Sequence, residues 1–227
     1  MARAMRYIIP NLPHHAIQRG NNRQNIFFDK ADRAYFLSKL KKLLEKEKVL
    51  MGSYCLMTNH VHMLLYPQRR DALITVMKGT AQHYTQYVNR KYKRSGKLWE
   101  NRYKLHIVDP EYEWVVARYI ENNPLRAKMV KKAENYNFSS ARFHLLNDGA
   151  SASDGEVITK DIIQAKRKEY EDFFYDLEAM NKDHIAQVAD VIQQEKVLGG
   201  EKFIKWVEGK FNACLRIRGK GRPAKKK

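Results

Sequence analysis

Two histidines open an apolar run, His60-Val61-His62 followed by Met63-Leu64-Leu65-Tyr66. The pattern predicts a β-strand, on which successive side chains leave opposite faces. His60 and His62 would then share a face, with Cα atoms ~6.6 Å apart at two strand rises. Two imidazoles at that separation can converge on one metal ion, and imidazole suits zinc and other transition metals. The same pair also fits a half-buried strand that turns two polar residues to solvent, and two ligands do not complete a metal site. Further along, Tyr119 and Asn123 lie four residues apart in a segment with helical apolar spacing. Positions i and i+4 share one face of a helix, so an amide ligand and a phenol nucleophile could reach one site together. A phenol has a pKa of about 10 and needs activation at neutral pH. The competing reading makes Tyr119 core packing among valines and Asn123 a helix end before Pro124.

These residues need a frame, and the chain predicts one. His14 to Arg19 reads as a short strand ending at the turn Gly20-Asn21-Asn22. Residues 29–47 repeat apolar positions at helical spacing, with Asp29 as N-cap. Residues 50–57 and 61–66 read as two strands joined at Thr58-Asn59, and residues 71–92 as a second helix. Residues 103–108 form a fourth strand candidate. Asp109-Pro110-Glu111 then combines an N-cap, a first-turn proline and an acidic first turn, opening a helix that runs to about Asn122. The order β-α-β-β-α-β-α predicts an α+β fold, a ferredoxin-like or RRM-like split βαβ core with an antiparallel central sheet.

Charge divides the chain. Its 227 residues carry a formal net charge of +18. Residues 1–147 hold 27 basic against 11 acidic side chains, residues 148–200 hold 6 against 12, and residues 201–227 hold 10 against 2. The small, polar stretch from Asn147 to Gly155 marks the first change of sign. We therefore expect a basic domain over 1–147, an acidic helical extension over 148–200 and a basic tail over 201–227. Apolar residues at 44 % exclude a disordered chain, and no collagen or coiled-coil composition is present. No apolar run reaches the ~20 residues that cross a bilayer, and no signal-peptide stretch precedes Pro10. The expectation is a cytoplasmic, nucleoid-associated protein. Cys55 and Cys214 are too few for a disulfide framework. The excess of positive charge favours nucleic acid or another anionic partner.

Five blocks together carry a resemblance. They are RGNNRQ (19–24) with Ile26-Phe27, YCLMTNHVHMLL (54–65), GKLWENRYK (96–104), ARYIENNPLRAKMV (117–130) and YNFSS (136–140). In this order the chain resembles the single-tyrosine HUH transposases of the IS200-like superfamily, most nearly the REP-associated tyrosine transposases. The likeness spans about residues 7–145. The family usually has Pro where this chain has Thr58, a position that is not a ligand. Gly219-Lys220-Gly221-Arg222-Pro223 looks like the basic tail of some relatives.

The resemblance implies that Tyr119 is the nucleophile and that His60, His62 and Asn123 are the metal ligands, on a catalytic helix beside the central sheet. It implies cleavage and rejoining of single-stranded DNA bearing hairpin or palindromic elements, through a 5′-phosphotyrosine. Mg²⁺ or Mn²⁺ is the implied cofactor, whereas ligand chemistry alone suggests Mn²⁺ or a softer ion. Relatives include dimers that share sites and monomers, so both a homodimer and a monomer are open.

A strand-handling enzyme must also grip its substrate. Basic residues interleaved with aromatics suit single strands. Arg19, Asn22 and Arg23 form one such group, and Lys97, Trp99, Arg102 and Lys104 another. Arg118 and Arg126 flank Tyr119, and the tail adds Arg218 and Arg222, by nonspecific phosphate attraction or by entry into an A·T-rich minor groove. Two other readings stand beside this one. One is a catalytically silent DNA-binding protein of the same fold. The other is an RNA-binding module, which would use exposed aromatics on the central strands.

Overall fold

The computed structural model describes residues 6–146, 157–164, 166–176 and 182–217. Its first seven strands and α-helices are β1 (His14–Arg19), α1 (Lys30–Glu47), β2 (Val49–Leu56), β3 (His60–Pro67), α2 (Arg70–Lys91), β4 (Lys104–Ile107) and α3 (Glu113–Glu121). The strands form one four-stranded sheet in the order β2-β3-β1-β4. Every neighbouring pair is antiparallel, which is the split βαβ arrangement expected from the element order.

Local chemistry explains the boundaries. Asp29 caps α1 by accepting from Asp32 N at 2.9 Å, and Asp32 Oδ2 returns the bond to Asp29 N at 3.1 Å. Asp109 caps the turn before α3, accepting from Glu111 N at 3.3 Å. One expectation changes here. Asn123 does not end in a turn before Pro124 but begins a further short helix, α4 (Asn123–Arg126), with Pro124 in its first turn. Proline is tolerated there because a first-turn N–H has no partner within the helix.

The strand period divides the sheet into two faces. Ala16, Val61, Met63 and Leu65 join Phe36 and Leu40 of α1 and Val76 and Tyr84 of α2 in one buried cluster. On the opposite face Cys55, Leu64 and Tyr66 pack with Val116, Ala117 and Ile120 of α3. The C-terminal extension completes that second cluster. Ile162, Tyr170 and Phe174 belong to it, the last two from α6 (Arg167–Tyr175), with Val188 and Val191 from α7 (Lys182–Gln194). A short helix α5 (Ala141–Leu145) precedes these, and α8 (Glu201–Phe211) follows them.

A buried carboxylate ties the second face together. Glu121, at the end of α3, is fully buried. Its Oε1 accepts from Ser53, Ser140 and His144, and its Oε2 accepts from Tyr170 Oη at 2.9 Å. A charge this deep is tolerable because several donors surround it. The result joins β2, α3, α5 and α6 at one point, two residues from Tyr119. Among the described residues no helix is long and apolar enough to cross a membrane.

Candidate active site

His60 and His62 lie on β3, one of the two inner strands, and share the face that α3 covers. Their register partners are Arg19 and Ile17 of β1. The two ring centroids are 5.0 Å apart at 77°. Each ring has its Nδ1 engaged. His60 Nδ1 donates to Asn59 Oδ1 at 2.6 Å, and His62 Nδ1 lies 2.9 Å from His15 Nε2. Burial, reinforced by the positive charge of Arg19 and Arg126, lowers the His60 pKa to about 4. Burial also holds His62 well below the usual imidazole value. Both rings are therefore neutral at neutral pH, the state in which an imidazole binds metal.

Asn59 does more than hold His60. Its Nδ2 donates to Arg23 O at 2.9 Å, and its backbone carbonyl accepts from Gly20 N at 2.8 Å. The basic turn at Arg19–Arg23 is thus fastened to the residue that orients the first histidine. Gly20 permits the tight turn itself, since a Cβ there would stand 2.3 Å from Gln24 O.

Tyr119 projects from α3 toward the histidines and is half-buried. Its ring is 6.0 Å from those of His62 and His15, edge-on to both. The guanidinium of Arg126 lies 4.0 Å from the Tyr119 ring centroid. Arg126 also donates to Asn123 Oδ1 at 2.9 Å and to Tyr119 O at 3.2 Å. Asn123 Nδ2 donates to Tyr119 O and Ile120 O, both at 3.0 Å. Asn123 therefore stands beside Tyr119, and its carbonyl oxygen is occupied by Arg126. An amide oxygen carries two lone pairs, and this contact uses one of them.

Both imidazoles have Nδ1 partnered; at His60 the acceptor Asn59 Oδ1 fixes the proton on Nδ1 and leaves the Nε2 lone pair free to ligate. Among the described residues there is no group of three or more His, Cys, Asp or Glu that could hold a metal. The donors expected from the sequence are the two imidazoles and the Asn123 amide, a set that would leave coordination positions open to a substrate. That set fits a cation that engages phosphate oxygens.

A groove opens beside Tyr119. It encloses about 410 Å³ and is lined by Arg19, Arg23, Arg102, Lys104 and Tyr119, with Ala189 and Ile192 of α7 on the other wall. A neighbouring depression of about 550 Å³ continues it past Lys97, Trp99 and Arg102. Lys97, Arg102, Asn22 and Arg23 are exposed, as strand contacts must be.

Other expected contacts sit differently. Arg118 is a correction: it is buried, donates to Phe173 O at 2.7 Å and stacks over the Phe173 ring. The extension covers it, which its position beside Tyr119 did not disclose. Trp99 is half-buried, donates from Nε1 to Ala81 O at 3.2 Å and packs near Phe36 and Tyr84. It is a wedge under the groove more than a free stacking platform. Lys104 donates from Nζ to Ile192 O at 3.1 Å. Arg218 and Arg222 lie outside the described residues.

Sequence reasoning missed four residues that shape the site. His15 and His106 lie opposite each other on β1 and β4, with rings 6.0 Å apart. Asn59 and Glu121 are the others. The parity of His15 with Arg19 on one strand was visible, but its nearness to His62 depends on the β1–β3 register.

Paired imidazoles on an inner strand of a split βαβ sheet are thus faced by a tyrosine-bearing helix and bordered by a groove lined with basic side chains. Comparison with known proteins identifies the family. Residues 9–123 match the family described as Transposase IS200 like, just over half of the 227-residue chain. The chain belongs to the IS200-like transposase family and is an enzyme of DNA transposition. Among solved structures it is similar to one described as a REP-associated tyrosine transposase bound to a REP hairpin. That likeness has a TM-score of 0.54 at 16 % identity and covers 71 % of this chain and 93 % of the other. At this identity it speaks for the fold. A candidate transposase from Deinococcus radiodurans R1 aligns at 22 % identity with a TM-score of 0.36, over 54 % of this chain and 97 % of the other. No curated protein matches the sequence.

Proposed function

We propose that this transposase cleaves and rejoins single-stranded DNA bearing hairpin elements, with Tyr119 as the nucleophile. The observation that carries the reading is the placement of the Tyr119 ring 6.0 Å from that of His62, where a basic groove opens. The phenol oxygen attacks the scissile phosphorus, the P–O3′ bond breaks, and the 3′ oxygen leaves as a hydroxyl after taking a proton. The phosphate stays on the 5′ end of the downstream strand as a phosphotyrosine. A 3′-OH can reverse the step, so the bond energy is conserved.

His60, His62 and Asn123 would hold Mg²⁺ or Mn²⁺, and such a cation supplies Lewis-acid polarisation of the phosphate. The chain's own groups do the rest. Asn59 keeps the His60 proton on Nδ1. Arg126, over the Tyr119 ring, places a fixed positive charge where negative charge develops. Arg19, Arg23, Arg102 and Lys104 line the path of the backbone, and Asn22 and Lys97 extend it. The solved REP-associated relative was captured on a hairpin, which supports a hairpin as substrate here.

The test is a labelled single-stranded hairpin from the DNA flanking this gene, incubated with wild type or Tyr119→Phe in Mn²⁺, Mg²⁺ or EDTA. Denaturing gels should show a metal-dependent covalent adduct that Tyr119→Phe abolishes. Binding without an adduct under any metal would overturn the reading in favour of a DNA-binding protein.

A further inference from the structure

The two site histidines are oriented by partners of different kinds. His60 Nδ1 faces Asn59 Oδ1, an atom that can only accept. His60 must therefore carry its proton on Nδ1, and its Nε2 keeps a lone pair. His62 Nδ1 faces the Nε2 atom of a second imidazole, His15, at 2.9 Å. The two rings stack at 5.2 Å with planes 26° apart. His15 is 2 % exposed and His62 3 %, so water does not compete for the bond.

One proton lies between these nitrogens, and it has two homes. If His15 Nε2 carries it, His62 Nδ1 accepts, and a neutral His62 then bears its own proton on Nε2. That arrangement turns an N–H toward the site and removes the ligand. If His62 Nδ1 carries the proton, His15 Nε2 accepts and the His62 Nε2 lone pair is free. Only the second arrangement matches His60. The strands make the contact possible: His62 pairs with Ile17, and His15 is the next β1 residue on the same face.

We propose that His15 is a positioning residue that, protonated on Nδ1, accepts the His62 Nδ1 proton and holds His62 in the tautomer able to ligate a divalent cation. The inference rests on the reading of His60 and His62 as cation ligands. It adds a residue from a different strand, at a position that neither touches substrate nor faces the groove.

Three variants test it on DNA-free protein: His15→Gln, which keeps an acceptor near the Nε2 position; His15→Leu, which removes it; and His62→Ala as the control. Mn²⁺ binding is read by the loss of the free-ion EPR signal. His15→Leu should weaken binding roughly 10- to 100-fold, the range for removing an outer-shell partner of a metal ligand. His15→Gln should recover binding to within a few-fold. His15→Leu binding Mn²⁺ like wild type overturns the proposal while leaving the cation site intact. If wild type binds no Mn²⁺, or His62→Ala binds as wild type does, the cation-site reading fails and the proposal with it. Should His15→Leu not fold, ¹⁵N NMR of the wild-type imidazoles decides. A protonated Nδ1 and bare Nε2 at His62 is expected, and a protonated Nε2 at His62 overturns the proposal.

Discussion

The two faces of the sheet come from the same strands and do opposite work. On one, Ala16, Val61, Met63 and Leu65 are closed over by α1 and α2 in a continuous apolar cluster. On the other, the alternate residues His15, His60, His62 and His106 share one side of the sheet, with Tyr119 of α3 against His15 and His62 and a groove that α7 helps to wall alongside. A strand such as His60-Val61-His62-Met63 thus spends every second residue on stability and every other one on chemistry. Substitutions on the first face should therefore act on folding, whereas on the second, which also carries the apolar cluster around Leu64 and Val116, only the site residues themselves should act on reaction alone.

The largest effect tests that separation directly. Tyr119→Phe should lower adduct formation by on the order of 10³-fold or more, as removal of a nucleophile does, while thermal unfolding stays close to wild type. Leu65→Ala should do the reverse, costing ~2–5 kcal/mol of stability for a truncated core residue, read by urea denaturation. A variant of Leu65 that keeps its stability but loses the adduct would break the comparison. Glu121→Ala sits between the two. It removes an acceptor from Ser53, Ser140, His144 and Tyr170 and should cost about 3 kcal/mol. It should also lower adduct yield, because the end of α3 loses its anchor.

Acid should weaken both faces alike. Burial pushes the pKa of His14, on the apolar face, down to about 4 and that of His106 to about 3. His14 has both nitrogens committed, Nδ1 donating to Leu12 O at 2.8 Å and Nε2 accepting from Ile9 N at 3.2 Å. A lowered folded pKa means that the unfolded chain binds the proton more readily. Stability is then full above the unfolded value of about 6.5 and falls as pH drops from there toward 4. His14→Gln should flatten that part of the stability profile. The smallest effect belongs to the groove: Arg102→Ala should reduce the salt slope of DNA binding by about 1, with unfolding unchanged.

What the sequence disclosed follows from the range of each interaction. The order of elements, the capping of α1 by Asp29 and the shared face of His60 and His62 are local properties, and the structure has them. The contact of His15 with His62 needs the pairing of strands some forty-seven residues apart, which no local pattern encodes. The burial of Arg118 depends on Phe173, in an extension that carried no recognisable block. The helix begun by Asn123 had a proline that reads equally as a stop or a first turn. Asn59 looked like a hairpin residue because its work is done by contacts to Arg23 and Gly20 across the fold.

Asn59 has one further consequence. Through its side chain and its carbonyl it joins His60, Arg23 and Gly20, so the turn and the ring share one frame of reference. The span from the turn to the ring is set by one residue's covalent geometry and its three hydrogen bonds. On the proposed reaction, a strand held at Arg23 would be measured against that shared frame, with a single amide setting the distance from turn to ring.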